Sequence, residues 1–168
     1  QLLRQMAAGD KPFFLGVGYK KPHLPFTVPK RFFDQYDRQS LDLEPFQTAP
    51  EGSNPQYILS GNTELRSYVP QPATASEPDE YGEVLTEAQQ RELLQGYFAA
   101  VSCIDELIGD LLAELESTGE ADNTIIVFWG DHGFHLGDHG VWGKHTTMEQ
   151  AARHPLMIRV PGRDGIAV

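Results

Sequence analysis

Residues 123–145 read NTIIVFWGDHGFHLGDHGVWGKH and decide the fold class. The opening run is rich in β-branched and aromatic residues, which predicts a buried strand. Asp131 and His132 follow directly, where open α/β sheets bind ligands beyond the carboxyl ends of their strands. Gly130 and Gly133 on either side permit a backbone bend that brings both side chains to one ligand. An Asp carboxylate beside an imidazole suits a divalent cation, and the alternative is a turn with solvated polar residues.

A long amphipathic helix precedes this segment. Thr86 and Gln89 have the spacing of a capping box, and Gly119 suits the helix end. Between them apolar residues recur at helical spacing and predict one buried stripe. After the glycine-rich segment we expect a short helix within 147–153 and a strand at 155–160.

Upstream, residues 12–19 (PFFLGVGY) predict a strand buried on both faces. Residues 1–9 are typical of the last turns of a helix, and residues 29–36 predict a short helix that starts at a proline. Residues 40–83 are rich in Pro, Gly, Ser, Asn and Thr, which indicates a variable loop insertion. The alternation of helices and strands predicts an α/β fold with a mostly parallel or mixed sheet flanked by helices.

Composition excludes several classes of function. Of the 168 residues, 13 are Lys or Arg and 24 are Asp or Glu, which gives a net charge of −11 and argues against a nucleic-acid partner. No apolar run is long enough to span a membrane. The single cysteine, Cys103, excludes an internal disulfide and a zinc–thiolate site.

Two further residues are candidates for chemistry. His23 follows the predicted 12–19 strand and could lie at the same edge of the sheet as Asp131. An imidazole is suited to proton transfer near neutral pH. Lys144 lies in a Gly-Trp-Gly neighbourhood and could hold an anion. The alternatives are a hydrogen-bonded surface histidine and a solvated lysine.

Three segments carry a family resemblance: FFLGVGYKKPHLPF (13–26), GYFAAVSCIDELIGDLLAELE (96–116) and TIIVFWGDHGFHLGDHGVWGKH (124–145). Together they resemble the type I sulfatases of the alkaline phosphatase superfamily, closest to the iduronate-2-sulfatase-like branch. The resemblance implies that residues 1–168 form a partial alkaline-phosphatase-like catalytic domain. It also implies hydrolysis of a sulfate ester, most typically on a sugar, in an extracytoplasmic compartment (periplasmic, secreted or lysosomal).

The resemblance also assigns roles to residues. It implies that Asp131 and His132 bind Ca²⁺, that Lys144 contacts the sulfate group and that His23 lies near the scissile ester. His139 falls in a glycine turn of the family, for which we expect loop stabilisation. The remaining histidines receive no role: His135, His145 and His154.

One family feature does not occur in the sequence. These sulfatases oxidise a Cys or Ser in a C/S-x-P-x-R motif to the formylglycine nucleophile, and neither Cys103 nor any serine stands in that motif. We therefore expect a catalytic domain without its nucleophile segment and C-terminal subdomain, inactive alone and partnered by the remainder of the sulfatase chain. The alternatives are a phosphate or phosphonate ester hydrolase of the same superfamily and a non-catalytic fragment.

Overall fold

The structure, a computed structural model, describes residues 1–54, 63–68 and 85–163. Its helices are α1 (Leu2–Ala7), α2 (Lys30–Phe33), α3 (Thr63–Arg66), α4 (Glu87–Ser117) and α5 (Glu149–Ala152). Its strands are β1 (Ile126–Trp129), β2 (His135–Leu136), β3 (Trp142–Gly143) and β4 (Leu156–Arg159). Short 3₁₀ turns lie at Arg38–Ser40, Ala121–Asn123 and Asp138–Gly140.

Helix α4 begins and ends as the sequence predicts. The backbone N–H of Gln89 donates to the Thr86 hydroxyl at 3.3 Å, and the Gln89 side chain accepts from the Thr86 N–H at 2.8 Å. This reciprocal pair satisfies two N–H groups that the first helical turn leaves free. After the last turn, Gly119 adopts a φ of 80°, a left-handed conformation that ends the helix. The predicted capping box and glycine stop are confirmed.

The core lies against the N-terminal half of α4. Its buried residues come from the loops, from α3 and α4 and from β3: Leu24, Leu65, Leu85, Leu93, Leu94 and Trp142. Farther along the predicted apolar stripe, Val101 and Leu107 are exposed. The stripe is therefore buried mainly over its first half, where Leu24, Leu65 and Trp142 pack.

Helix α1 is joined to the C-terminal part of α4 by an ion pair. Arg4 donates to both carboxylate oxygens of Glu114, with Nη2 at 2.8 Å from Oε2. The hydrogen bond and charge of the partner raise the pKa of Arg4, and the hydrogen bond from Arg4 lowers the pKa of Glu114. Within α1, Leu3 is buried and Leu2 is exposed.

The strands form two small antiparallel ladders. In one, β1 pairs with β4, from Ile126 opposite Arg159 to Trp129 opposite Leu156; in the other, β2 pairs with β3. The α/β class is confirmed. Both pairings among the described residues are antiparallel, so the parallel pairs expected from the sequence do not occur in this part of the chain.

The predicted strand at 12–19 is wrong. These residues form no strand, and Phe14 is 91% exposed. A strand that is apolar on both faces needs a neighbouring strand on each edge and cover on each face, and the described residues supply neither. The segment therefore has the apolar residues of a buried strand but, in the described part of the chain, lacks the neighbouring strands and the covering elements that would bury it.

The segment 40–83 is described only in part. Residues 41–54 contain no helix or strand, in agreement with the predicted loop, and residues 63–66 form α3. Leu65 anchors α3 in the core. The rest of the predicted insertion, 55–62 and 69–83, lies outside the described residues. In the part of the chain that the structure describes, none of the helices combines the length and hydropathy needed to cross a membrane.

Candidate functional site

The loop at 20–26 is folded around its own lysine. Nζ of Lys21 donates to the carbonyl oxygen of His23 at 3.0 Å and also to that of Pro25. Burial, together with the neighbouring Lys20 ammonium, lowers the pKa of Lys21. Leu24 is buried in the core, which fixes the position of His23 beside it.

The loop at 130–133 lies close to the backbone of α5. The N–H of Gly133 donates to the carbonyl of Ala151 at 2.7 Å, and a Cβ on Gly133 would lie 2.0 Å from the carbonyl oxygen of Gln150. No side chain fits at that distance. Glycine is thus required here because the backbone of α5 approaches closely, whereas the sequence pattern predicted a glycine that permits a backbone bend.

Three aromatic rings hold the two loops together on α4. Phe26 lies 5.8 Å from Tyr97 and 6.2 Å from Phe134 between ring centroids, and Tyr97 stacks on Phe134 at 5.5 Å. Burial in this cluster raises the pKa of Tyr97. Gly96 leaves room for the Phe26 ring, since a Cβ there would lie 3.0 Å from it. The loops after His23 and after His132 are therefore packed on one side of the helix.

His23 and Lys144 meet at one carboxylate oxygen. Oε1 of Glu64 lies 3.2 Å from Nε2 of His23 and 3.1 Å from Nζ of Lys144. The side chains of Glu64 and Lys144 are each 14% exposed. The ring of Tyr68 packs edge-on against His23 at 5.7 Å. The structure thus brings together the two residues that the sequence predicted for catalysis, although they are far apart in the chain.

Glu64 is a site residue that no pattern in the sequence predicts. It lies in α3, inside the segment expected to be a variable loop, and no motif surrounds it. Its Oε2 is buried and has no hydrogen-bond partner among the described residues. Only the folded structure places it between a histidine and a lysine.

Asp131 and His132 form an open pair of possible metal ligands. Nδ1 of His132 donates to the carbonyl of Gly133 at 2.7 Å, and Nε2 lies 3.6 Å from Oδ2 of Asp131. With the proton on Nδ1, the lone pair of Nε2 is free to coordinate a cation. The Asp131 side chain is 86% exposed. The Asp131 carboxylate fits part of a Ca²⁺ site, which takes six to eight oxygen ligands, whereas the imidazole nitrogen of His132 is a less usual donor for this hard cation.

The metal assignment of this pair remains a prediction. Among the described residues, no group of three or more Asp, Glu, His or Cys side chains is placed to hold an ion. The additional ligands would have to come from groups outside that set.

A buried hydrogen-bonded network supports the loop that carries Lys144. Nδ1 of His135 lies 2.6 Å from Oδ2 of Asp138, and Nε2 lies 2.6 Å from the hydroxyl of Thr146. His135 is fully buried, and the other oxygen of Asp138 accepts from the N–H of Leu136 at 3.3 Å. His135, to which the sequence assigned no role, therefore joins β2 to the residues just after Lys144.

His139 lies in the turn at Asp138–Gly140 and connects it to residues 46–48, which precede α3 in the chain. Its backbone N–H donates to the carbonyl of Phe46 at 2.6 Å, and its Nδ1 contacts the carbonyl of Thr48 at 3.2 Å. Its φ of 55° is left-handed, which is uncommon for a residue with a side chain. These contacts agree with the loop-stabilising role expected for His139. His145 and His154 are exposed.

Comparison with known proteins gives the class of protein that this fold and site define. The chain matches the family model described as Sulfatase over residues 1–165, and it belongs to the sulfatase family. It is 41% identical to iduronate 2-sulfatase of Mus musculus over 164 residues, which cover 97% of this chain and 29% of that protein. The chain thus spans less than a third of the length of that relative.

Two solved structures share the fold. Phosphonate monoester hydrolase of Agrobacterium radiobacter has a TM-score of 0.68 and 25% identity, covering 96% of this chain and 32% of its own. BT4656 in complex with its substrate D-glucosamine-2-N,6-O-disulfate has a TM-score of 0.65 and 26% identity, covering 84% of this chain and 37% of its own.

Proposed function

We propose that the full-length protein containing this chain is a sulfuric ester hydrolase, similar to iduronate 2-sulfatase, that acts on sulfated sugars. The observation that carries the proposal is the convergence of Nε2 of His23 and Nζ of Lys144 on one anionic oxygen of Glu64. An ammonium and an imidazole that share one oxygen acceptor can also bind the oxygens of a sulfate ester. Family membership and the similarity to iduronate 2-sulfatase support the same reaction.

The roles of the two residues follow from their chemistry. Lys144 binds a non-bridging sulfate oxygen and stabilises the negative charge that the transferring group carries. As a nucleophile from the remainder of the full-length chain forms a bond to sulfur and the S–O ester bond breaks, His23 gives a proton from Nε2 to the bridging oxygen, so that the sugar leaves as a neutral alcohol. The family nucleophile, formylglycine, has no motif in residues 1–168, so this chain alone is expected to be inactive.

Asp131 and His132 would hold the cation that the family implies. Asp131 would contribute a carboxylate oxygen, and His132 would contribute Nε2 while Nδ1 stays bonded to the Gly133 carbonyl. When bound, Ca²⁺ would supply positive charge beside the sulfate group. The remainder of the sulfatase chain would supply the other ligands, and family membership supports an extracytoplasmic location.

The second candidate function is hydrolysis of a phosphate or phosphonate ester on the same framework. The similarity to phosphonate monoester hydrolase favours it, whereas the higher identity to iduronate 2-sulfatase favours sulfate. A third possibility is a non-catalytic fragment. One assay separates all three: turnover of matched aryl sulfate, phosphate and phosphonate esters by the full-length protein.

The test compares Lys144→Ala with a matched control, Lys20→Ala, in the full-length protein. Lys20 is exposed and belongs to the other loop of the site. We expect Lys144→Ala to lower kcat on the sulfate ester by about 10²–10³-fold, the loss usual for one group that stabilises transition-state charge. Lys20→Ala should keep kcat close to that of the wild type. Preference of the wild type for the phosphate or phosphonate ester would refute the proposal, as would full activity of Lys144→Ala.

A further inference from the structure

Glu64 lies at the point where both candidate catalytic donors converge. Building on the proposed function, we propose that Glu64 sets the affinity of the site for anions, because its carboxylate occupies the place that an oxygen of the sulfate ester takes. Glu64 would then compete with the substrate and the sulfate product for His23 and Lys144.

The hydrogen bonds of His23 require this exchange. Nδ1 lies 2.7 Å from the carbonyl oxygen of Leu24, which can only accept, so this nitrogen donates. Nε2 lies 3.2 Å from Oε1 of Glu64, and it donates there when the ring is protonated on both nitrogens. Each ring nitrogen carries at most one proton. While Glu64 is in place, His23 therefore has no N–H left for the leaving oxygen of a substrate.

The charges of the three groups lead to the same conclusion. Lys144 is held by Oε1 at 3.1 Å in a part of the site where its side chain is mostly buried, so the Glu64 carboxylate offsets the positive charge that would attract an anion. Lys144 has three N–H donors and can reach more than one oxygen, whereas His23 can reach only one with Nε2. Removing the negative charge of Glu64 should therefore favour an incoming sulfate.

The Glu64 carboxylate is only partly satisfied between His23 and Lys144, because only one of its two oxygens is hydrogen-bonded there in the described part of the chain. Oε2 is buried without a hydrogen-bond partner among the described residues, and burying such an atom costs free energy. A sulfate group that replaced the carboxylate would release Oε2 to a better-solvated position.

The experiment is a calorimetric titration of the full-length protein with inorganic sulfate at constant ionic strength. It compares the wild type with Glu64→Gln, which keeps the size of the side chain and removes its charge. We expect sulfate to bind Glu64→Gln about 10- to 100-fold more tightly, the range that one charge-assisted hydrogen bond supports. The KM for a sulfate ester should fall in the same direction. Glu51→Gln, which removes the same charge at an exposed turn of the 40–83 segment, should change the affinity less than about twofold.

A second variant guards against a folding defect in the first. Glu64→Asp keeps the charge but shortens the side chain, which withdraws the carboxylate from His23 and Lys144 and should also tighten sulfate binding. Weaker or unchanged sulfate binding in a folded variant would overturn the inference and make Glu64 a positioning residue for the two donors. The proposed function is tested separately by wild-type turnover of sulfate esters. A wild type that binds sulfate but hydrolyses no sulfate ester would refute that function alone.

Discussion

Replacing His135 by leucine tests the buried network behind Lys144. The substitution removes two hydrogen bonds of 2.6 Å, one to Asp138 and one to Thr146, and leaves the Asp138 carboxylate buried without its main partner. A hydrogen bond to a charged group contributes about 1.5–3 kcal/mol, and a neutral one about 1 kcal/mol. We therefore expect His135→Leu to lower the free energy of unfolding by about 3 kcal/mol and to lower the Tm accordingly.

The assay is thermal unfolding of the full-length protein, followed by differential scanning calorimetry, with a double variant as the decisive comparison. His135→Leu combined with Asp138→Asn removes the buried charge that the single variant leaves unpaired. The double variant should recover about 1–2 kcal/mol, because an unpaired buried charge costs more than an unpaired amide. His154→Leu, at an exposed histidine of the same half of the chain, should shift the free energy by no more than about 0.5 kcal/mol.

A double variant that melts at or below the temperature of His135→Leu would refute this reasoning. Such a result would mean that Asp138 finds another partner, or water, when His135 is absent. Equal melting of His135→Leu and wild type would refute it as well.

Three further predictions concern Gly133, the Arg4–Glu114 ion pair and the candidate metal ligand Asp131. Gly133→Ala should destabilise the protein by at least about 3 kcal/mol, since its Cβ would overlap the Gln150 carbonyl; a wild-type Tm would contradict this. Arg4 lowers the pKa of Glu114, so the ion pair stabilises the docking of α1 fully above about pH 4.5. This stabilisation is lost as the pH falls through the lowered pKa of Glu114. Glu114→Gln should remove the acid dependence of α1 docking, measured by amide hydrogen exchange of α1. Asp131→Asn should weaken Ca²⁺ binding, measured calorimetrically in the full-length protein, by about tenfold or more, and unchanged affinity would exclude Asp131 as a ligand.

Local rules predict the elements whose causes are local. Thr86 and Gln89 predict the start of α4, Gly119 predicts its end, and the β-branched run before Gly130 predicts β1, since each depends on neighbours a few residues away. The same reasoning is wrong for residues 12–19. The apolar pattern of this segment indicates a buried strand only where neighbouring strands pair with it. Among the described residues, no strand pairs with residues 12–19.

The candidate site shows the same limit. The resemblance to the sulfatases assigns roles to His23, Asp131, His132 and Lys144, and the structure places His23 and Lys144 at one oxygen. Glu64 could not be predicted, because a glutamate in a polar loop carries no signal until the fold brings it between two distant residues. The i, i+3 spacing of His135 and Asp138 was a usable signal, since such side chains can meet across a tight turn, but burial of the pair depends on β3 and Thr146.

The most direct test of the central claim is the leaving-group dependence of His23→Ala in the full-length protein. The claim is that His23 and Lys144 act together on a sulfate ester, with His23 protonating the leaving oxygen. Turnover should be measured on a sulfated sugar, whose alcohol leaves poorly, and on an activated aryl sulfate, whose phenolate needs little protonation. The account predicts a loss of about 10²–10⁴-fold on the sugar sulfate and a much smaller loss on the aryl sulfate. Equal losses on both substrates would contradict it and would restrict His23 to holding the substrate in place.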